Sequence, residues 1–231
     1  MAWVVTLLVL GVAGALVWAS ASIRSGVYLK ALCEARGEER KVALTFDDGP
    51  DEEMTPRLLA LLHRYKAKAT FFVVGDKARQ HPELVQRMMD EGHTVGNHTL
   101  HHSPLSPLYT SHRYYEELFF GRDVVERLTG RRMKLYRPPF GVTNPPIARA
   151  VKALGLTTVG WSVRSLDTIR MSRERVLRRI EKGLKPGAVI LLHDRLPQSD
   201  RLVEDVLQLL ERENYKAVTV DELFAIDAYE K

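Results

Sequence analysis

Thr45-Phe46-Asp47-Asp48-Gly49-Pro50 follows the apolar run Val42-Ala43-Leu44, and its reading governs the rest of the chain. The apolar run has the composition of a buried strand, and Gly49-Pro50 stops it and turns the chain. Two adjacent carboxylates at a strand's mouth repel, and each disfavours the other's ionisation. Such a pair persists most easily when a cation or a base role gives the two residues different surroundings. The competing reading is a solvated turn, for which Asp-Asp-Gly-Pro is ordinary chemistry. What stands at the other strand ends decides between the two.

Working outward, apolar runs of strand length recur at 41–46, 69–74, 93–97, 134–138, 156–163, 188–193 and 216–220. Helix-period segments lie between them. Thr55-Pro56 caps one whose buried stripe is Leu58, Leu59, Leu61 and Leu62. His81-Pro82 opens a second, Ser111 caps a third that stops at Gly130, and Asn144 precedes a fourth that stops at Gly155. Ser172 starts a fifth, and a sixth runs over about 201–211. Seven strand–helix alternations predict an α/β fold with parallel strands. That number suits a barrel of slightly fewer than eight units; a doubly wound open sheet is the alternative.

The first 23 residues stand apart. Ala2 to Ile23 carries no charged side chain and is mostly Val, Leu, Ala and Trp. Its length and apolarity predict a membrane-spanning helix, with Trp18 at one boundary. Ala19-Ser20-Ala21 has the small-x-small pattern of a signal cleavage site, yet no Lys or Arg precedes the apolar run. An uncleaved anchor over 1–23 is therefore expected, then a polar linker over 24–40 and a catalytic domain over 41–231. Arg24, Lys30, Arg36, Arg40 and Lys41 follow the span, with Glu34, Glu38 and Glu39 among them, and this excess favours a cytoplasmic domain.

At 231 residues and 45% apolar content the chain can bury a proper core. The net charge of +5 is mild and spread along the sequence. Its densest basic run, 170–182, reads as the polar face of an amphipathic helix, and no nucleic-acid-binding motif is present. One cysteine, Cys33, excludes an internal disulfide. No obligate protein partner is indicated.

The polar residues collect at one end of the predicted strands. Asp47 and Asp48 follow the first strand, His98 and His102 the third, Arg137 ends the fourth, Asp167 lies past the fifth, and His193 ends the sixth. In parallel α/β folds the carboxyl ends of the strands are where ligand and catalytic sites are built. Solvated charges would not select that end five times, so the turn reading fails. Two imidazoles four residues apart plus a carboxylate make a three-ligand site for Zn²⁺ or a similar ion, with positions left for water. His101 is also within ligand spacing of His98. Such an ion acidifies a water to a pKa of about 7. With Asp48 as ligand, Asp47 would be the base, Arg137 would orient it, and His193 would be the acid. The residues describe metal-assisted hydrolysis of a carbonyl compound.

This constellation resembles the polysaccharide deacetylases that share the NodB homology domain (carbohydrate esterase family 4), from about Lys41 to Phe224. The resemblance implies a distorted (β/α)7 barrel with a divalent metal, usually zinc, with Co²⁺, Ni²⁺ or Mn²⁺ as alternatives. It implies removal of acetyl groups from N-acetylhexosamine polymers. Thr45-Phe46-Asp47-Asp48-Gly49-Pro50 is similar to the family's first motif, which makes Asp47 the base and Asp48 a ligand. His98-Thr99-Leu100-His101-His102 is similar to the second, giving His98 and His102 as ligands and leaving His101 out. Arg137-Pro138-Pro139-Phe140-Gly141 resembles the third, with Arg137 behind the base and the Phe140 backbone N–H at the oxyanion. Ile190-Leu191-Leu192-His193 resembles the fifth, giving His193 as acid. Phe140, Trp161 and Leu191 are the implied substrate-side residues.

The fourth motif departs. Trp161-Ser162-Val163-Arg164-Ser165-Leu166-Asp167-Thr168 has Arg164 where the family usually has an aspartate, and Thr168 where it usually has a tryptophan. The usual aspartate assists the catalytic histidine and the usual tryptophan walls the acetyl-methyl pocket. Asp167 is the candidate for the first task, with Asp194 as another, and the pocket is expected to be more open. The expected function is metal-dependent N-deacetylation of an N-acetylglucosamine-type glycan of the cell envelope, peptidoglycan among them. O-acetyl ester or N-formyl hydrolysis is the alternative, and a non-catalytic carbohydrate-binding domain is a third. An envelope glycan places the domain outside the membrane, against the flanking charges, and substrate access is given the greater weight.

Overall fold

The computed structural model describes residues 1–37 and 39–230; Glu38, in the expected linker, and Lys231, at the end of the expected domain, lie outside the described residues. Ala2–Ala21 forms α1 and Lys41–Asp47 forms β1. Met54–Arg64 (α2) leads to Thr70–Val73 (β2), then Gly75–Gln80 (α3) and Pro82–Asp90 (α4) lead to Thr94–Asn97 (β3). Ser111–Thr129 (α5) precedes Leu135–Tyr136 (β4), and Pro145–Ala153 (α6) precedes Thr157–Thr158 (β5). Val163–Arg164 (β6), Arg173–Gly183 (α7), Val189–His193 (β7), Ser199–Arg212 (α8), Lys216–Val218 (β8) and Val220–Phe224 (α9) complete the order.

The strands pair in the order β5-β4-β3-β2-β1-β7-β6, and every pairing is parallel. β8 pairs with the first residues of β1, ahead of the point where β2 joins it. The two edges of this path, β5 and β6, are separated by only residues 159–162, so the sheet curls until its edges are neighbours. This is the distorted barrel of parallel strands expected from the sequence. The run 156–163, expected as one strand, is instead two short ones at opposite edges. Gly160 lies in the crossing between them, where a Cβ would meet the Cys33 sulfur at 2.5 Å, so a glycine there lets the crossing lie against the N-terminal segment.

Alternation along the strands sorts the core from the site. Val42, Leu44 and Phe46 of β1 join Leu58, Leu59 and Leu62 of α2 and Val203, Val206 and Leu210 of α8 in the main buried cluster. Ala43, Thr45 and Asp47 take the opposite, inward face, where Ala43 packs with Phe72, Leu135 and Val189. The residue that completes this inward row at the strand's carboxyl end is Asp47. Helix starts differ from expectation by a residue or two. Thr110, not Ser111, caps α5 by accepting from the Arg113 N–H, and Thr55 spends its hydroxyl elsewhere.

At about 1.5 Å per residue, the 20-residue α1 is roughly 30 Å long, the thickness of a bilayer core. Its apolar side chains, Trp3, Leu7, Leu8 and Val17 among them, are exposed, but Ala19 and Ile23 at its end are buried against the barrel. The Thr143 N–H donates to the Ser20 carbonyl at 3.0 Å. Part of the expected linker 24–40 is likewise held: Leu32 bridges to Val159 and Glu34 to Ala188. The backbone groups exposed where the barrel edges fail to pair are what these residues satisfy.

Candidate active site

Nine of the ten site residues expected from the sequence line one pocket of about 240 Å³ at the carboxyl ends of the strands. The tenth, Arg137, lies beneath it, completely buried. β1 places Asp47 directly opposite His193 of β7 in the sheet register, so both reach the same mouth. The loops there bend sharply. Asp48, Thr99, His102, Phe140 and Leu166 all have positive φ, and they are five of the nine described non-glycine residues that do. Left-handed backbone costs a non-glycine residue of order 1–3 kcal/mol, and such strain gathers at functional sites.

Arg137 holds Asp47. Its Nη1 donates to Asp47 Oδ1 at 2.8 Å and to Thr45 Oγ1 at 2.7 Å. Its Nη2 donates to the Gly160 carbonyl at 2.7 Å and its Nε to the Val159 carbonyl at 3.3 Å. The guanidinium lies 4.2 Å from the centre of the Phe72 ring. Burial pushes its pKa down, and the charge and hydrogen bond of Asp47 pull against that. A planar fork of donors matches this set of acceptors, which a lysine ammonium cannot.

Asp48, His98 and His102 present one ligand atom each, all within 4.8 Å of one another. Asp48 Oδ1 lies 3.4 Å from His98 Nε2 and 3.2 Å from His102 Nε2. Burial raises the Asp48 pKa, but the His98 hydrogen bond and the charges of His98, His102 and His193 outweigh it and hold the carboxyl well below its usual range. His98 Nδ1 donates to the Arg137 carbonyl oxygen at 2.8 Å, which orients the ring from behind and turns Nε2 toward Asp48. Burial, helped by His98, pushes His102 down to about 4, so this imidazole is neutral at pH 7. One carboxylate and two imidazoles, one oriented from behind by a backbone carbonyl, suit a divalent transition ion. The residues present therefore fit a metal. His101 is not among them: its Nδ1 pairs with Glu117 Oε1 at 2.8 Å and its side chain is half exposed.

Across the pocket, His193 Nδ1 is 2.8 Å from Asp167 Oδ1, and Asp167 Oδ2 accepts the His193 backbone N–H at 2.9 Å. Ser165 Oγ donates to the same carboxylate at 2.9 Å. Burial lowers the His193 pKa, but the Asp167 hydrogen bond and charge, together with the charges of Asp47 and Asp48, outweigh it, and the net shift is upward. Of the two carboxylates considered for this task, Asp167 is the one in contact. Asp194 turns away beneath the Asp48-Gly49 turn, where its Oδ2 accepts from Thr55 Oγ1 at 2.7 Å. Complete burial pushes Asp194 up to about 7, and its Oδ1 has no hydrogen-bond partner among the described residues. A Cβ on Gly49 would sit 2.0 Å from that carboxyl group, so only glycine fits there.

Phe140 is half exposed, and its ring meets that of His102 edge-on with the ring centres 4.9 Å apart. Trp161 packs against Gly141, where a Cβ would meet the indole at 2.4 Å. Arg164 and Thr168, the two departures in the fourth motif, both line the pocket. Sequence reasoning missed Arg195, whose Nε donates to Asp48 Oδ2 at 2.7 Å. Its place two residues after a strand-end histidine was the available signal, weak because so many exposed arginines share it.

The family described as polysaccharide deacetylase matches residues 34–159. The chain is 36% identical over 204 residues to a peptidoglycan-N-acetylglucosamine deacetylase of Bacillus cereus, covering 82% of this chain and 91% of that one. It is 33% identical over 190 residues to the peptidoglycan-N-acetylmuramic acid deacetylase PdaA of Bacillus subtilis, covering 80% and 72%. Among solved structures, the Bc1960 peptidoglycan N-acetylglucosamine deacetylase aligns with a TM-score of 0.79 at 30% identity, covering 86% of this chain and 94% of that one.

Proposed function

The chain belongs to the polysaccharide deacetylase family, and on that premise we propose that it hydrolyses the N-acetyl groups of an N-acetylglucosamine-type envelope glycan, with peptidoglycan the first candidate. The observation that carries this reading is the placement of two supported pairs, Asp47 with Arg137 and His193 with Asp167, about one pocket with the Asp48–His98–His102 group.

Asp48, His98 and His102 would hold a divalent ion, zinc foremost, with cobalt, nickel or manganese as alternatives. When bound, such an ion acidifies the attacking water and polarises the acetyl carbonyl. Asp47 takes the proton of that water, held in place for the task by Arg137. As the water oxygen bonds to the acetyl carbon, the backbone N–H of Phe140 donates to the developing oxyanion. His193, protonated and fixed at Nδ1 by Asp167, gives its Nε2 proton to the leaving nitrogen. The C–N bond breaks to acetate and a free amine. Trp161 and Leu191 border the acetyl group, and Thr168 in place of a bulky aromatic leaves that wall open.

The division into an anchor over 1–23, a linker over 24–40 and a catalytic domain over 41–231 is part of the same proposal. An uncleaved anchor is supported by the burial of Ala19 and by the Thr143–Ser20 hydrogen bond, since cleavage after Ala21 would strip both contacts from the barrel. With a glycan substrate the domain faces the envelope. Incubating the full chain and Zn²⁺ with chitooligosaccharide, peptidoglycan and acetylated xylan, and measuring acetate and free amine, tests the function. Amine release from the first two supports it; acetate from xylan alone overturns it in favour of an ester substrate.

A further inference from the structure

A second cavity, a groove of about 500 Å³, opens beside the catalytic pocket and shares Arg164 with it. Arg164 stands on β6 at the sheet's edge, and the groove runs from there along α7. Arg175, Arg178, Arg179 and Lys182 line it, and no acidic residue does. Their spacing is i, i+3, i+4, i+7, which sets all four on one stripe of the helix, while Val176 and Ile180 face the core. Like charges at that spacing repel.

Elsewhere on this surface arginines are paired: Arg173 meets Asp205 at 2.9 Å and Arg212 meets Glu181 at 3.0 Å. Glu174, the other acid of α7, lies near Arg173 and Arg178 but bonds to its own backbone and Ser172. Among the described residues, none of the five groove cations is in an ion pair of 4.0 Å or less. Arg179 gives its Nε to the Arg164 carbonyl at 2.7 Å, which ties the helix to the pocket's rim. Arg195, at the pocket's mouth, is a sixth cation but is committed to Asp48.

Resting on the glycan reading above, we propose that this groove is a subsite for carboxylate groups carried by the glycan next to the residue being deacetylated. Guanidinium forks bind carboxylates bidentately, and a row of them along a cleft selects an acidic polymer over a neutral one. The pocket's shared Arg164 makes the occupant an extension of the same substrate chain rather than a separate ligand. The substrate class is then an acidic N-acetylated glycan.

The test uses the full chain in detergent, loaded with Zn²⁺, and the triple variant Arg175→Gln, Arg178→Gln, Lys182→Gln. Two substrates are compared: neutral chitooligosaccharide, and a soluble peptidoglycan fragment of similar length bearing free carboxylates. Equilibrium binding of both to Asp47→Asn forms, with and without the triple change, is measured alongside. The expected result is a tenfold or greater rise in KM and Kd for the acidic fragment, with kcat unchanged and the neutral substrate within twofold. Raising salt should weaken acidic-substrate binding to the unsubstituted groove more than to the triple variant. Equal effects on both substrates, or none on either, overturn the proposal. So does an unchanged acidic-to-neutral ratio together with lost response to phosphatidylglycerol vesicles, which assigns the stripe to a lipid surface. Failure of the function reading looks different: neither substrate is turned over, while the binding difference still reports on the groove.

Discussion

Arg137 joins fold to chemistry, and Arg137→Leu is the substitution whose cost is most directly worked from the structure. The guanidinium has no exposed surface and makes four hydrogen bonds, to Asp47, Thr45, Val159 and Gly160. Leucine leaves a buried carboxylate without its cation and two buried carbonyls without a donor. Breaking a buried ion pair from one side costs about 3–5 kcal/mol. In a domain of this size each kcal/mol moves Tm by about 2–4 °C, so a fall of roughly 6–20 °C is expected. Arg137→Lys keeps the charge but cannot span all four acceptors, and should cost about 1–3 kcal/mol. Its activity should still fall on the order of a hundredfold, because Asp47 is no longer fixed. Thermal unfolding of the full chain in detergent and kcat on chitooligosaccharide read the two effects. If the leucine variant melts within 2 °C of the unsubstituted protein, or the lysine variant is fully active, the role given to this arginine is wrong.

Asp167→Asn should lower kcat by about 10²–10⁴-fold, the usual worth of a general acid. Because Asp167 raises the His193 pKa, the alkaline limb of the kcat/KM profile should move to lower pH; an unmoved limb would remove Asp167 from the pair. Asp194 is raised from 3.8 to about 7, so the folded state holds its proton across that window and stability falls as pH rises through it. Asp194→Asn should flatten that fall and raise the unfolding free energy at pH 8 relative to pH 4, by at most about 4 kcal/mol on the scale of 1.36 kcal/mol per pH unit. A steeper fall in the variant would contradict the burial argument. Chelation should abolish activity and lower Tm, and Zn²⁺ should restore both. Activity that survives full metal removal would end the metal reading.

The sequence made the site more legible than the barrel's closure. Site residues sit at strand ends, where an apolar run stopping at Asp47 or His193 marks the position, and period-two alternation then dictates which face they take. The run 156–163 misleads because its apolar residues serve two edges, and the close approach of Cys33 to Gly160 in the crossing leaves no trace in the sequence pattern. The hold on the N-terminal segment was equally hidden. Leu32 and Glu34 pair with Val159 and Ala188 through backbone groups, which leave no trace in side-chain pattern. Asp167 and Asp194 are both near His193 in the fold, and the choice between them turned on side-chain direction. Asp194 follows His193 directly, so its side chain leaves the strand on the other side and meets Thr55 instead.

Asp47 and Asp48, adjacent in sequence, are assigned different tasks: one beside the ion as base, the other as its ligand. Metal content of purified Asp47→Asn and Asp48→Asn, measured by elemental mass spectrometry beside the unsubstituted protein, tests that assignment most directly. Asp48→Asn should lose its metal, while Asp47→Asn should retain it and turn over no substrate. Equal metal loss in both variants, or an active Asp47→Asn, would contradict the division of labour.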